Sequence, residues 1–331
     1  MSKVSWGVIS TANIGTNLVI PAMQQGKYIE ITAISSRNIV KAQKTADSLG
    51  IPKAYGSYEE ILNDPDIEAV YIPLPNHLHV EWALKALEAG KHVLCEKPVA
   101  MDYKQAEYLR QRVKEFPGQK VMEGFMFRFH PRWNTVKKLI ADGSIGEVKN
   151  IHSIFTYFND DPNNIRNQAD IGGGGLMDIG CYCISLSRFL YEQDPLNVSG
   201  VMEYDPELKI DRLVSAVLDF GGRTATFTCS TQLNNRQYAE ITGSKGSIEI
   251  ENPFVPSSDT PTEIVFKSGS DSEKIIFEPC NQYTIQGDSF SLAVLNNTDV
   301  PTPLDDGIAN MKVIDKIIES HKTGCRIEVQ E

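Results

Sequence analysis

The sequence predicts an α/β protein of two domains, a doubly wound parallel sheet followed by an α+β half with a mainly antiparallel sheet. Three observations carry this. Residues 1–123 alternate strand-like and helix-like runs, the grammar of parallel βαβ units. From residue 124 onward short strands dominate, punctuated by the hairpin signals "FGGR" and "GSKG". The chain, at 331 residues, is also longer than one ordinary hydrophobic core accommodates. The expected domains are 1–123 and 124–331.

Each element has its own warrant. Val4–Ser10 is an apolar run that reads as the first strand, and helix periodicity follows over Ile14–Gln25. The pattern repeats as strand Ile29–Ser35 with helix Val40–Leu49, then a short helix at Ser57–Leu62. Ala69–Ile72 is a continuously apolar strand, followed by a helix over His77–Ala89 that Gly90 suits as a C-cap. Strand His92–Cys95, helix Tyr103–Lys114 and a strand from Lys120 complete the first half. The second half opens with a helix over Pro131–Ala141 and a long strand, Glu147–Phe158. A polar loop then leads to "GGGG" and a helix over Leu176–Leu190. Strands are expected at Asn197–Tyr204, Asp211–Phe220, Thr224–Thr231, Tyr238–Thr242 and Ser247–Ile250. Ile264–Lys267 and Lys274–Phe277 read as a further hairpin, and helices Tyr283–Leu295 and Asp305–Lys322 close the chain.

Composition narrows the function. With 41% hydrophobic and 23% charged residues the chain is globular, not disordered. A net charge of −11 without a basic tract argues against nucleic acid as a partner. No apolar run approaches the ~18 residues of a membrane span. The opening "MSKVSWGVIS" enters a strand directly, without the apolar core of a secretory signal. Six cysteines without a CxxC pair or a disulfide framework suit a reducing cytoplasm.

The chemistry is sought where parallel strands end, because open α/β sheets bind ligands outside their carboxyl ends. "WGVISTANIG" places a tight turn between the first strand and its helix. The glycine positions of a dinucleotide turn are taken by Ser10, Ala12 and Gly15, two of them replaced by small residues. A plain βα turn is the alternative; the βαβ context favours a pyrophosphate cradle of Ser10, Thr11, Ala12, Asn13 and Ile14 at a helix N-terminus. After the second strand, "AISSRN" offers Ser36 and Arg37, with Lys41 a turn later, where an NAD site would place a carboxylate. Hydroxyls and cations suit a 2′-phosphate, so NADP is expected, NAD being possible. Further on, "HVLCEKPVA" ends a strand in Glu96-Lys97-Pro98, and "YIPLPNHLH" ends the strand before it. A salt-bridged surface lysine is the bland reading of Lys97. Its place at a strand end, followed by a φ-fixing proline, points instead to a lysine aimed into the crevice.

These residues also carry a resemblance. "YIPLPNHLHVEWALKALEAGKHVLCEKPVAM" resembles the glucose–fructose oxidoreductase, inositol dehydrogenase and MocA family, with support from "MEGFMFRFHP" and "GGGGLMDIGCY" across nearly the whole chain. The resemblance implies a Rossmann domain, then an α/β domain with a large open sheet. It also implies NAD(P)-linked oxidation or reduction of sugars, polyols and related carbonyls, a catalytic Lys97, an often cis Lys-Pro bond, and Glu96 near the nicotinamide ribose. Pro73, Leu74, Asn76, His79 and Arg128 join the expected cofactor residues, His79 capping or packing near the cofactor and Arg128 contacting cofactor or substrate, and a homodimer or higher homo-oligomer is the expected assembly. In "DIGCY", Asp178 and Tyr182 are spaced i, i+4 and share a helix face. Many relatives have histidine at the second position. Tyrosine there resembles the branch of glucose–fructose oxidoreductase, dimeric dihydrodiol dehydrogenase and NADP-linked D-xylose dehydrogenase. Tyr182 is the candidate proton donor or acceptor, Lys97 the other, with Asp178 holding the substrate hydroxyl. Phe155, Tyr157 and Arg166 are read as lining the substrate side or, equally, as a plain sheet face. His77 and His79 are not read as metal ligands, and no metal is expected. Two rival functions are an NAD-retaining glycosidase, whose longer glycine–histidine motif is absent, and a non-catalytic NADP sensor.

Overall fold

The computed structural model describes residues 2–329. Among the described residues the strands form two sheets, and the chain divides into two compact units. The first unit comprises residues up to Phe129 together with Asn281–Ile308; the second comprises His130–Cys280 and the chain from Ala309 onward. The division is discontinuous, where a single boundary after residue 123 was expected. The reason lies in the packing of Asn281–Ile308. Phe290 packs 5.2 Å from Trp6, Ser291 Oγ accepts the Trp6 indole N–H at 3.1 Å, and Asp288 accepts from the backbones of Lys27 and Tyr28.

The first sheet is wholly parallel: β1 (Val4–Ile9), β2 (Ile29–Ser35), β3 (Lys53–Tyr55), β4 (Ala69–Ile72), β5 (His92–Cys95) and β6 (Val121–Glu123). Their order is β3-β2-β1-β4-β5-β6, so the winding reverses between β1 and β4. β4 is buried on both faces, which explains its unbroken apolar run. Helices are started by side-chain caps: Asn38 accepts from Val40 and Lys41, Ser57 from Glu60, and Asp102 from Gln105.

The second sheet is built from β7 (Val148–Phe158), β8 (Asn197–Tyr204), β9 (Asp211–Asp219), β10 (Thr224–Ser230), β11 (Gln232–Gly243), β12 (Gly246–Glu251), β13 (Thr262–Ser268), β14 (Asp271–Phe277) and β15 (Ile327–Glu328). The order is β14-β13-β12-β11-β7-β10-β9-β8-β15, and every pairing is antiparallel except β7 with β10. β9 alternates buried Val214, Ala216 and Leu218 with exposed Ser215 and Val217, so one face is core and the other open.

The glycine run of this unit folds around one carboxylate. Asp211, at the start of β9, is buried, and its Oδ2 accepts the Leu176 N–H at 2.6 Å. Gly174 has φ 123°, and a Cβ there would fall 2.0 Å from Asp211 Oδ1. Only glycine answers both demands. Burial pushes the Asp211 carboxyl up to about 7; backbone donors including Leu176 pull it down, and the Asp178 charge adds to the rise. The folded value therefore exceeds the unfolded 3.8. Stability from this group is fully present below the unfolded value and is lost as pH rises through the folded one. Asp211→Asn keeps an acceptor oxygen but does not titrate. Urea unfolding at pH 5, 6, 7 and 8 should show wild-type stability, relative to that variant, shrinking with rising pH. At roughly 1.4 kcal/mol per pKa unit, the change should be on the order of 2–3 kcal/mol across this range.

Candidate active site

In the first unit the expected cofactor residues gather at the carboxyl ends of β1, β2, β4 and β5. Ser10, in place of the first glycine, adopts φ 122°, a conformation that glycine takes readily and serine rarely. Its hydroxyl donates to Pro73 O at 3.2 Å and receives the Ala12 N–H at 3.3 Å, so the side chain itself braces the turn. The helix begins at Asn13 and passes through a π turn, Gly15–Val19. A Cβ on Gly15 would touch Pro73 Cγ at 3.4 Å, which keeps helix and β4 end in contact. Beyond β2, Ser36 is buried while Arg37 and Lys41 are exposed. Asn38 spends its side chain capping the next helix. Arg37 lies beside the hydroxyl of Tyr58, whose pKa burial raises and the guanidinium lowers.

The Glu96-Lys97-Pro98 turn is held on several sides. Tyr71 donates to Glu96 Oε1 at 2.6 Å; burial and then the Glu96 charge keep that phenol well above its ordinary pKa, hence protonated. The Lys97–Pro98 peptide is cis, as the resemblance implies. Glu123 Oε1 accepts the Val99 N–H at 2.7 Å, and Gly124 N–H donates to Cys95 O at 2.7 Å. His79 reaches Pro98 O and Leu74 O with its two ring nitrogens, each at 2.7 Å. Its ring has no exposed surface, and burial holds its pKa down to about 4 against the pull of those carbonyls. His79 thus packs between the loop after β4 and the turn after β5, both of which carry expected cofactor contacts. Arg128 lies in a largely covered ion pair with Asp306 at 2.8 Å. Tyr71 and Glu123 escaped the sequence reading. A glutamate ending a short apolar strand, in "VMEGF", was the available signal for the second.

In the second unit, Asp178 sits in a π turn, Leu176–Gly180, that leads into the helix Cys181–Tyr191 bearing Tyr182. Such turns often mark functional sites. Both residues face β7. Tyr157 donates to Asp178 Oδ2 at 2.6 Å, and the Phe155 ring lies 5.6 Å from that of Tyr182. Phe254 stacks on Phe155 at 5.2 Å and also meets Tyr182 at 5.6 Å, so Tyr182 is walled by two aromatic rings. Phe254 is placed by Arg132, fully buried, whose guanidinium donates to the carbonyls of Glu251, Asn252 and Pro253. Burial lowers the Arg132 pKa only to about 10, so it remains charged. Arg166 Nε donates to Asp178 Oδ1 at 3.1 Å. The Asp178 charge, foremost, raises the Arg166 pKa against the opposing effect of burial, and the phenols of Tyr157 and Tyr182 add to that rise. Asp178 is thus engaged by both Tyr157 and Arg166, partners that the i, i+4 spacing alone did not reveal.

Among the described residues no group of three or more His, Cys, Asp and Glu side chains is placed to hold a metal, and no helix is long and apolar enough to cross a membrane.

Comparison with known proteins places the chain in a family. Residues 4–125 match the model of an oxidoreductase family with an NAD-binding Rossmann fold, and residues 133–249 match the GFO/IDH/MocA C-terminal domain. An uncharacterized oxidoreductase of Rhizobium meliloti is 44% identical over 98% of both chains. D-xylose 1-dehydrogenase (NADP(+)) 2 of Haloferax volcanii is 34% identical, covering 98% of this chain and 99% of its own. The crystal structure of KijD10, a 3-ketoreductase from Actinomadura kijaniata in complex with NADP and TDP-benzene, superposes with a TM-score of 0.91 at 30% identity, covering 96% of this chain and 98% of its own. With its Rossmann sheet, its Glu-Lys-Pro turn and these relatives, the chain belongs to the GFO/IDH/MocA family of oxidoreductases.

Proposed function

We propose that the protein is an NADP-dependent oxidoreductase that acts on a hydroxyl or carbonyl carbon of a sugar or related small diol. The observation that carries this reading is the Glu96-Lys97-Pro98 turn, braced by Tyr71, His79 and Glu123 at a strand end. That much fixing is wasted on a surface lysine and suits one that meets a reacting oxygen. The relatives support the substrate class: one is a D-xylose dehydrogenase, another a 3-ketoreductase, and dihydrodiol dehydrogenases such as that of Mus musculus match at 33% identity over 76% of this chain.

The residues present fit the cofactor. The turn Ser10–Ile14 presents backbone N–H groups at a helix start, suited to a pyrophosphate. Ser36, Arg37 and Lys41 offer a hydroxyl and two exposed cations for a 2′-phosphate. Pro73, Leu74, Asn76, Glu96 and Arg128 are assigned to the nicotinamide end. Bound NADP supplies hydride transfer; the chain supplies orientation and proton movement. Tyr182 and Lys97 are the two candidates to move the proton at the substrate oxygen, and Asp178 orients the substrate hydroxyl. The second unit is assigned to substrate binding and self-association. The open face of its sheet bears a groove of about 520 Å³ lined in part by His152, Val201, Val217 and His321, which suits a homodimer. The cysteines, all free, suit a cytoplasmic enzyme.

Four outcomes test these assignments. Arg37→Asp should weaken NADP far more than NAD in fluorescence titration; unchanged NADP affinity would remove the 2′-phosphate assignment. Tyr182→Phe should leave NADP binding intact while kcat on a verified sugar falls ~100- to 10,000-fold, the range for a lost general acid/base. Lys97→Met should cost at least as much; near wild-type kcat in Tyr182→Phe, with chemistry rate-limiting, would hand the proton to Lys97. Sedimentation at micromolar concentration should give a dimer, and monomer alone would count against the sheet-face assignment.

A further inference from the structure

Tyr71 lies on β4, where the winding of the first sheet reverses, paired with Val8 of β1 and Leu94 of β5. Its side chain is buried, and its two ends meet different parts of the cofactor site. The ring supports the dinucleotide turn: a Cβ on Gly15 would fall 3.6 Å from Tyr71 Cε1. The hydroxyl donates to Glu96 Oε1 at 2.6 Å. Glu96 is tied to the same strand through its backbone, its N–H donating to Ile72 O at 3.1 Å. Gly124 leaves the carboxylate room, for a Cβ there would already touch Glu96 Oε1 at 3.6 Å and Cys95 O at 3.2 Å. A second phenol, Tyr283, lies within the field of Glu96. Burial, and then the Glu96 charge, raise the pKa of both phenols, so both stay protonated beside the carboxylate.

A glutamate side chain loses rotamer freedom when a ligand fixes it, and a partner that fixes it beforehand removes that loss from binding. A hydrogen bond from a buried phenol to a carboxylate is of the strong, charge-assisted kind, and it orients the acceptor. Tyr71 is such a partner for Glu96, on the turn assigned above to the nicotinamide end. The ring of the same side chain underlies the helix of the pyrophosphate end. Removing the hydroxyl alone therefore separates the two halves of the cofactor. Resting on the NADP reading above, we propose that Tyr71 is a positioning residue for the nicotinamide half of NADP: its hydroxyl pre-sets the Glu96 carboxylate that meets that half and has no part in holding the adenosine half.

The test is calorimetric titration with NADP and with adenosine 2′,5′-bisphosphate, the fragment that lacks the nicotinamide half. The proteins are wild type, Tyr71→Phe, Glu96→Ala and the double variant, with the folding of each checked by thermal melt. Wild type should bind NADP more tightly than the fragment. Tyr71→Phe, which keeps the ring under Gly15, should weaken NADP by ~10-fold, the usual worth of a hydrogen bond to a charged group, and leave the fragment's affinity where it is. Glu96→Ala should lower the NADP-to-fragment ratio at least as far, and adding Tyr71→Phe to it should lower the ratio no further. All four proteins keep Lys97, so a non-additive cycle reports on Glu96 and not on its neighbour. A merely structural hydroxyl would weaken both ligands together. That result, unchanged NADP affinity in Tyr71→Phe, two losses that simply add, or equal affinities of wild type for the two ligands would overturn the proposal. If Tyr71→Phe does not fold, Glu96→Gln decides: it keeps an acceptor for the Tyr71 hydroxyl and should retain more NADP affinity than Glu96→Ala, and equal losses would overturn the proposal. Wild type that binds neither ligand would instead overturn the NADP reading, and this inference with it.

Discussion

The N–H of Leu176 opens a helix inside the protein, away from water, and a buried donor there must find an acceptor. It finds the carboxylate of Asp211 at 2.6 Å. The surrounding geometry follows from that contact. The carboxylate occupies the space that a side chain on Gly174 would need, so the run before the helix is glycine. The run in turn packs on the backbone of Arg166, where a Cβ on Gly173 would fall 2.6 Å from the Arg166 carbonyl oxygen. The loop carrying Arg166 and the helix carrying Asp178 and Tyr182 are thereby fixed to each other before either side chain does any chemistry. Precision at Asp178 is inherited from a residue at the start of β9 that has no assigned part in the proposed reaction.

The first unit achieves comparable fixing by different means. Its strand ends are short turns with little packing of their own, so they are secured by individual contacts with side chains beneath: Ser10 donates to Pro73 O, Tyr71 donates to Glu96, Glu123 accepts from Val99, and the His79 ring lies between the carbonyls of Leu74 and Pro98. Most of these are buried or nearly so, where an unmet partner is costly and the geometry correspondingly narrow. Surface pairs such as Lys149 with Glu147, both largely exposed, contribute far less.

How much of this was legible follows from the range of the interactions. Continuous apolar runs such as "WGVIS" and "AVYIP" report burial directly, so the strands and helices of the first unit were readable. β3 was not, because three partly buried residues carry no period. β11 begins at Gln232 rather than Tyr238 because its polar first stretch pairs with β7 across an irregular register, a tertiary decision invisible in composition. Lys97, Asp178 and Tyr182 stood out through a motif. Asp211 and Glu123 did not, since a lone carboxylate looks the same whether it braces a backbone or faces water. The same limit hid the attachment of Asn281–Ile308 to the first unit: Asp288 and Phe290 meet partners more than 250 positions away.

The Arg132 clamp divides one loop into two regimes. Up to Phe254 the chain after β12 is gripped, with the carbonyls of Glu251, Asn252 and Pro253 held by a buried guanidinium; Gln237 then accepts the Val255 N–H. Beyond that point Ser257, Asp259 and Thr260 lie in solvent before β13 resumes. Insertions and deletions are tolerated where backbone is exposed and unheld, and resisted where it is not. The aromatic wall of Tyr182 and the exposed tip of the same loop are therefore separable in evolution. Lineages can lengthen, shorten or recompose the tip, and with it whatever that tip meets, while the ring against the tyrosine stays in place.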